Sequence, residues 1–167
     1  MWLQPLRECF KGGRNMLVGV ISDTHGLLRP EALTALAGVE HILHAGDVGN
    51  PDILDSLRKI APVTAIRGNI DLHGPCAELP ATEALELGGC FLYMLHSLDD
   101  LDLNPTAAKI DVILFGHSHK PSSTKKDGVL YLNPGSAGPR RFSFPITLAL
   151  LHLEPGNPTA EFIELTA

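Results

Sequence analysis

The chain has 167 residues, 44% hydrophobic and 19% charged, which excludes a disordered chain and favours one globular domain. Its formal net charge of −6, from 13 basic and 19 acidic residues, argues against general nucleic-acid binding, which needs a basic face. Three dispersed cysteines and the lack of a secretory signal or long apolar stretch predict a cytoplasmic protein without disulfides or membrane association.

The first half of the chain predicts strands that alternate with helices. Apolar, β-branched runs predict the strands, and a proline at the start of each intervening segment predicts the helices. In order, these are a strand at 16–22, a helix at 30–38, a strand at 41–46, a helix at 51–60 and a strand at 62–68. This order implies parallel strands with right-handed crossovers. Residues 1–15 are predicted to be a poorly ordered N-terminal extension, with Met16 as an alternative start.

The second half of the chain predicts antiparallel pairing. Gly88 and Gly89 divide the segment 83–96 into two strands of a hairpin. The remaining predicted strands are two short buried runs at 111–116 and 128–133 and a C-terminal hairpin at 146–154 and 160–166. Residues 16–167 are therefore predicted to form a single α/β domain, with two packed mixed sheets and helices outside.

Side chains of metal-binding types follow five of the predicted strands, at the edge where ligands collect in open α/β sheets. They are two carboxylates, one amide and four imidazoles: Asp23, His25, Asp47, Asn69, His96, His117 and His119. Mixed nitrogen and oxygen ligation suits Mn²⁺, Zn²⁺, Fe²⁺ or Co²⁺. Seven ligands exceed the needs of one small ion, so the pattern favours two ions that share a carboxylate. Glycines precede three of these residues and would allow a close backbone approach.

Each of these residues alone also has an ordinary structural explanation. A histidine at a strand end is more often a hydrogen-bonded structural residue than a metal ligand. The segment 22–25 could be a capped turn, and GD and GN dipeptides are common in turns. What favours a metal site is the joint occurrence of these residues at five strand ends in succession.

The succession D-x-H, GD, GN, a lone His and G-H-x-H resembles the calcineurin-like metallophosphoesterase superfamily. The stretches GDVGN, RGNID and NPGSAGPRR resemble its small YfcE-type phosphodiesterase branch. The resemblance implies a four-layer α/β/β/α sandwich with two divalent ions, Mn²⁺ preferred and Zn²⁺, Fe²⁺, Co²⁺ or Ni²⁺ as alternatives. It also implies the ligands, with Asp47 bridging: Asp23, His25, Asp47 and His119 for one ion, and Asp47, Asn69, His96 and His117 for the other.

The expected reaction is hydrolysis of a phosphodiester by a metal-activated hydroxide that attacks phosphorus in line. Asp47 and Asn69 are the expected catalytic residues. Many relatives have a histidine after the GN pair that assists the leaving group, but Ile70 occupies that position here. Asp71 is therefore a candidate proton donor and His73 another, although either could equally be a loop residue. Without a positioned donor, aryl diesters should react far faster than alkyl diesters.

Arg140 and Arg141 are candidate contacts for the substrate phosphate, although they could also be solvated arginines on a surface turn. His44 could support Asp47 through a hydrogen bond or be an ordinary strand residue. The expected partner is a small phosphate ester, and a homo-oligomer is left open. Two other functions compete: a protein-interaction scaffold that resembles a retromer subunit, and a phosphomonoesterase such as a phosphoprotein phosphatase. The presence of all seven ligand types favours chemistry over the scaffold.

Overall fold

The computed structural model describes residues 15–166. The predicted N-terminal extension, residues 1–15, lies outside the described residues apart from Asn15. The strands of the described part are β1 (Met16–Ile21), β2 (His41–His44), β3 (Val63–Ala65), β4 (Thr82–Leu87), β5 (Cys90–Leu95), β6 (Val112–Leu114), β7 (Ser122–Lys126), β8 (Val129–Asn133), β9 (Thr147–Leu153) and β10 (Thr159–Glu164). Its helices are α1 (Pro30–Ala35), α2 (Pro51–Arg58) and two short 3-10 helices at Pro75–Glu78 and Leu98–Asp100.

The strands form two mixed sheets of five strands each. The first sheet has the order β10-β9-β1-β2-β3, with β1, β2 and β3 parallel and β9 antiparallel to β1. The second has the order β4-β5-β6-β8-β7, with β5, β6 and β8 parallel and an antiparallel strand at each edge. The predicted parallel half, the two predicted hairpins and the α/β sandwich class are therefore confirmed.

The alternation of side chains along β1 explains how the layers pack. Val18 and Val20 are fully buried between the two sheets, where they pack with residues of the second sheet such as Leu92. Ile21 points the other way, into the apolar layer under α1 and α2. Gly19 faces the same layer, and a Cβ there would lie 2.3 Å from Cδ2 of Leu36. The strand therefore needs a glycine at this position to let the end of α1 approach.

The outer face of the second sheet has a thinner cover than the predicted fourth layer. Within residues 15–166 no α-helix packs on this face. The cover is the turn-rich segment 98–110, whose Leu101 and Leu103 pack near Ile113 and Tyr131. Within the described residues the sandwich thus has α-helices on one side only, and the other side carries the short 3-10 helix Leu98–Asp100.

The prediction missed β7, an edge strand with the sequence SSTKK. Four of its five residues are exposed, so it lacks the apolar alternation by which strands are recognised. Its register comes from antiparallel pairing with β8 across a turn at Asp127 and Gly128, both of which have positive φ. An Asp-Gly pair is a hairpin signal in sequences, and it could have revealed this strand.

Cys76 and Cys90 are buried free thiols. No helix within residues 15–166 is long and apolar enough to cross a membrane.

Candidate metal centre

The seven side chains predicted as metal ligands converge at one edge of the two sheets. They follow the ends of β1, β2, β3, β5 and β6, and the parallel strands of each sheet end on the same side. One tight group consists of Asp23, His25 and His119. A second consists of Asp23, Asp47 and His96, and within each group the ligand atoms lie within 4.8 Å of one another. The two groups share Asp23, so they form a single centre.

The first group is built around two imidazoles. Nε2 of His25 lies 3.2 Å from Nε2 of His119. Oδ1 of Asp23 lies 3.4 Å from Nε2 of His119 and 3.7 Å from Nε2 of His25. Oδ2 of Asp47 also reaches this group, 3.5 Å from Nε2 of His25. These four residues are the set that the resemblance implies for one ion.

The second group extends towards the solvent through two further residues. Nε2 of His96 lies 3.3 Å from Oδ2 of Asp47 and 3.8 Å from Oδ1 of Asp23. The ring of His117 packs edge-on against that of His96, with a centroid distance of 5.2 Å. Oδ1 of Asn69 then lies 3.0 Å from Nδ1 of His117. Because Oδ2 of Asp47 lies close to both His25 and His96, its position is compatible with the predicted bridging role.

Five of the seven residues have a left-handed backbone, which non-glycine residues seldom adopt. Their φ angles are 55° for Asp23, 46° for His25, 55° for Asp47, 71° for His117 and 62° for His119. Such conformations cost of order 1–3 kcal/mol each and persist only where the surrounding structure enforces them. Their concentration in the loops of this centre indicates that the fold sacrifices local stability to position these side chains.

Two of the predicted glycines allow the loops to approach each other closely. A Cβ at Gly68 would lie 2.0 Å from Oδ1 of Asp47, and a Cβ at Gly116 would lie 2.2 Å from Oγ of Ser22. Neither space could hold a methyl group. The glycines before Asn69 and His117 are therefore required by contact with the loops that carry the two carboxylates.

Each carboxylate is held by one oxygen and presents the other to the centre. Oδ2 of Asp23 accepts hydrogen bonds from the Ser22 hydroxyl at 2.7 Å and the His117 N–H at 3.1 Å. Oδ1 of Asp47 accepts from the Ile70 N–H at 3.0 Å. No donor within residues 15–166 hydrogen-bonds to the other oxygen of Asp23, although it is buried. Buried polar atoms rarely lack a partner.

Two imidazole nitrogens of the centre also lack a hydrogen-bond partner among the described residues. Within the described residues, Nε2 of His96 and Nδ1 of His119 are also buried without a hydrogen-bond partner. The Nδ1–H of His96 donates to the Ala45 carbonyl at 2.8 Å, which fixes the ring and directs Nε2 towards the carboxylates. The Asp23 oxygen and Nε2 of His96, 3.8 Å apart, form a donor pair that fits divalent cations, whereas the His119 nitrogen that faces this cluster is Nε2 and not Nδ1.

The charges in the centre shift the pKa values of its members. Burial alone would lower the pKa of His96, but the Asp47 carboxylate, the Ala45 carbonyl and Asp23 raise it overall. Burial would raise the pKa of Asp47, but the His96 ring and the Ile70 N–H lower it overall. Burial lowers the pKa of His119, and the positive charge of Arg141 acts in the same direction. Arg141 and its neighbour Arg140 are both exposed residues of the loop after Gly138, and only Arg141 is among the causes of this shift.

His44 hydrogen-bonds to the loops that follow β1 and β2 as a neutral histidine. Its Nδ1 accepts from the Gly46 N–H at 3.2 Å, so Nε2 carries the proton and donates to Oγ1 of Thr24 at 3.0 Å. The Thr24 hydroxyl then donates to the Val48 carbonyl at 2.9 Å. Burial is the main cause that lowers the pKa of His44, to about 4. His44 is thus a residue of β2 with both ring nitrogens satisfied, and it hydrogen-bonds Gly46, next to Asp47, rather than Asp47 itself.

Sequence reasoning missed two polar residues that hold the ligand loops. Asn133 is buried and donates from its amide nitrogen to the Gly116 carbonyl and the Ser118 hydroxyl, both at 3.0 Å. Ser136 donates to the backbone carbonyl of Asp23 at 3.0 Å. Both residues belong to the NPGS stretch, which therefore supports the centre from the end of β8 rather than lying only on the substrate side.

Asp71 has contacts different from those expected of a proton donor. Its Oδ1 accepts from the Gly49 N–H at 3.0 Å, and its Oδ2 accepts from the N–H groups of Val48 and Gly68 at 3.1 and 2.8 Å. Asp71 is 3% exposed, so both oxygens are engaged away from solvent. The alternative donor His73 is exposed.

A cleft of about 590 Å³ opens beside the second group. Asn69, His96 and His117 form its wall towards the centre, and the other side carries polar and charged residues. These polar and charged residues are Arg67, Thr82, Ser97, Asp99 and Asp100. Arg67 is fixed at the rim because its guanidinium donates to the Leu79 carbonyl at 2.8 Å. The cleft is wide enough for one arm of a small phosphate ester.

Comparison with known proteins identifies the class. The model of the calcineurin-like phosphoesterase superfamily domain matches residues 16–156, and the chain belongs to this superfamily. It is 37% identical over 164 residues to a probable metallophosphoesterase of Methanothermobacter thermautotrophicus, with 91% of this chain and 94% of the relative covered. It is 28% identical over 155 residues to phosphodiesterase YfcE of Escherichia coli, with 78% and 84% covered.

Solved structures show the same fold. A structure of an archaeal phosphodiesterase superposes with a TM-score of 0.73 at 22% identity, covering 89% of this chain and all of the other. Vps29 of Entamoeba histolytica, solved in complex with zinc, gives a TM-score of 0.67 at 23% identity, covering 90% and 100%. The predicted family, its phosphoesterase class and the sandwich fold are thus confirmed.

Proposed function

We propose that this protein is a phosphodiesterase that holds two divalent cations, with Mn²⁺ preferred, at the seven converging residues. The observation that carries the proposal is the pair of carboxylates, Asp23 and Asp47. Each has one oxygen held by the protein and the other directed at imidazoles, which are those of His25, His96 and His119. The two groups of ligands support two ions rather than one. Its free thiols Cys76 and Cys90 suit the cytoplasm, where we place it.

The charge of such a centre favours an anionic ester. Two divalent cations contribute +4 and the two carboxylates −2, which leaves a positive site on a chain whose formal net charge is −6. Arg141 adds a cation on the side of His119. The centre therefore attracts a phosphate group although the protein as a whole repels anions.

Bound divalent cations lower the pKa of water towards neutrality and hold phosphoryl oxygens for in-line displacement. The chain supplies orientation. Asn69 and His117 line the cleft, so one arm of the diester lies there and the other points towards Arg141. We assign the leaving arm to the cleft side, next to Ile70, which is 41% exposed and offers no proton. Good leaving groups are therefore preferred.

We assign Asp71 a positioning role instead of proton donation. Its three backbone hydrogen bonds join the loop after β2, which carries Asp47, to the loop after β3, which carries Asn69. Fixing the distance between these two loops fixes the distance between two ligands of the second ion.

The direct test is an assay of metal-reconstituted protein against aryl diesters, cyclic nucleotides and monoesters, alongside calorimetric titration with Mn²⁺. We expect two Mn²⁺ per chain and turnover of the aryl diester. Asp47→Asn should lower kcat by at least about 100-fold and reduce the bound Mn²⁺. His152→Asn is the matched control, because His152 contacts Glu161 on the surface at 3.4 Å and should leave both quantities unchanged. Turnover that survives Asp47→Asn would refute the proposal.

The two other functions have weaker support. The scaffold alternative has only the fold likeness to Vps29, a vacuolar protein sorting protein, whereas this chain has a complete set of metal-binding side chains. The phosphomonoesterase alternative lacks a proton donor at position 70. A scaffold would turn over none of the esters whether or not it bound Mn²⁺, since a Vps29 structure also contains a metal, and a monoesterase would prefer monoesters in the same panel.

A further inference from the structure

Phe142 has an environment that folding alone does not explain. It is 82% exposed, the largest exposure among the large apolar side chains of residues 15–166. Its φ is 54°, in the left-handed region that bulky residues rarely adopt. The Phe144 N–H donates to the Arg141 carbonyl at 3.4 Å, so Phe142 is the first central residue of a turn. Glycine is the usual residue where such a turn has a positive φ.

The turn is attached to the proposed metal centre. A Cβ at Gly138 would lie 2.3 Å from the Thr24 carbonyl oxygen and 2.6 Å from that of Asp23, so the backbone before the turn rests directly on a ligand loop. The Arg29 guanidinium donates to the Gly138 carbonyl at 3.2 Å and fixes it further. Phe142 follows Gly138 by four residues and directly adjoins Arg141, whose positive charge acts on the His119 imidazole.

The Phe142 ring is supported rather than loose. The half-buried ring of Phe144 meets it edge-on, with a centroid distance of 5.8 Å and an interplanar angle of 67°. This contact still leaves Phe142 82% exposed, next in sequence to Arg141. An aromatic face next to a cation is the arrangement by which proteins bind a flat ring attached to a phosphate.

We propose that Phe142 stacks on an aromatic ring carried by the retained arm of the phosphodiester, as in a nucleotide, and so sets the preference for nucleoside esters. This inference rests on the proposed function, because the phosphate must sit at the metal centre for its retained arm to reach Phe142.

The test compares two substrates with one leaving group: the p-nitrophenyl ester of thymidine 5′-phosphate and methyl p-nitrophenyl phosphate. For each protein, the readout is the ratio of kcat/KM between the thymidine and the methyl ester. Phe142→Gly should lower this ratio by about tenfold, which corresponds to about 1.4 kcal/mol. Phe142→Trp should preserve it. Phe91→Ala is the control, because Phe91 is 41% exposed but lies at the start of β5, at the far end of the sheet from the centre.

Two further measurements separate stacking on the ring from a change in folding. Phe142→Gly should melt within about 2 °C of the wild type, because glycine suits the positive φ and little packing is lost. In the background Trp2→Phe, Phe142→Trp carries the only tryptophan, and thymidine 5′-phosphate should quench its fluorescence where methyl phosphate does not.

The outcomes distinguish the stacking role from the function on which it rests. If the metal-loaded wild type hydrolyses neither ester, the proposed function fails. If it hydrolyses both and Phe142→Gly leaves the ratio unchanged, the stacking role is refuted while the function stands. Equal quenching by thymidine 5′-phosphate and methyl phosphate would also refute the stacking role.

Discussion

The substitution Asp71→Asn tests whether this residue joins the ligand loops or donates a proton. Asp71 accepts three backbone hydrogen bonds in a buried site, from Val48, Gly49 and Gly68. An asparagine has a single acceptor oxygen, so at least one buried N–H loses its partner and faces an amide donor instead. An unsatisfied buried group costs about 1–3 kcal/mol, and the remaining bonds lose the contribution of the charge. We expect a loss of about 3 kcal/mol, or a melting temperature lower by about 6–12 °C.

The assay is thermal unfolding of the metal-free protein at pH 7.5, followed by Mn²⁺ titration. Asp55→Asn is the matched control, since Asp55 is exposed and its pair with Arg58 at 2.9 Å contributes at most about 1 kcal/mol. We expect Asp71→Asn also to weaken Mn²⁺ binding, because Asp47 and Asn69 lose their common support. Asp71→Asn could instead have the melting temperature and the Mn²⁺ affinity of the wild type and lose only the alkaline limb of its pH–rate profile. In that case Asp71 is the proton donor and the positioning role is wrong.

Three further predictions concern other residues of the centre. Ile70→His should accelerate the hydrolysis of alkyl diesters by about 100-fold or more, because it supplies a proton donor. Leu72→His, at a neighbouring position that is 68% exposed, is the control and should not accelerate it. Equal effects of the two substitutions would contradict this prediction. His44 has a pKa of about 4 in the folded protein and 6.5 as its ordinary value, so stability should fall by about 3 kcal/mol as the pH drops from 6.5 towards 4. Urea unfolding at several pH values should show that His44→Gln removes this part of the dependence of the unfolding free energy on pH. An unchanged pH dependence would refute the assignment of His44 as a neutral histidine. The pKa of His96 is raised above its ordinary value of 6.5, so protons should begin to compete with Mn²⁺ for this ring at a pH above 6.5. Calorimetry should therefore show Mn²⁺ binding that weakens as the pH falls.

The sequence predicted the parts of the fold that depend on local patterns. The runs that became β1, β2 and β3 are short, apolar and rich in β-branched residues, and Pro30 and Pro51 begin the two α-helices. The helix ends were placed too late: α1 ends at Ala35 and α2 at Arg58. The edge strand β7 was missed because its pairing, rather than its own composition, makes it a strand.

The candidate ligands could be predicted because each one follows a strand whose end is visible in the sequence. The residues that hold these ligands in place could not be predicted, because their hydrogen bonds join segments that are distant in sequence. Asn133 contacts a loop 17 residues before it, and Ser136 contacts a loop 113 residues before it. The same reason explains Asp71, whose partners Val48 and Gly49 lie more than 20 residues away in sequence.

The most direct measurement is an anomalous difference map from a crystal of the Mn²⁺-loaded protein. We expect two peaks about 3.5–4 Å apart, with Asp47 between them. All seven of Asp23, His25, Asp47, Asn69, His96, His117 and His119 should lie within ligand distance of one peak or the other. A single peak, or peaks bound by other side chains, would contradict the two-metal centre.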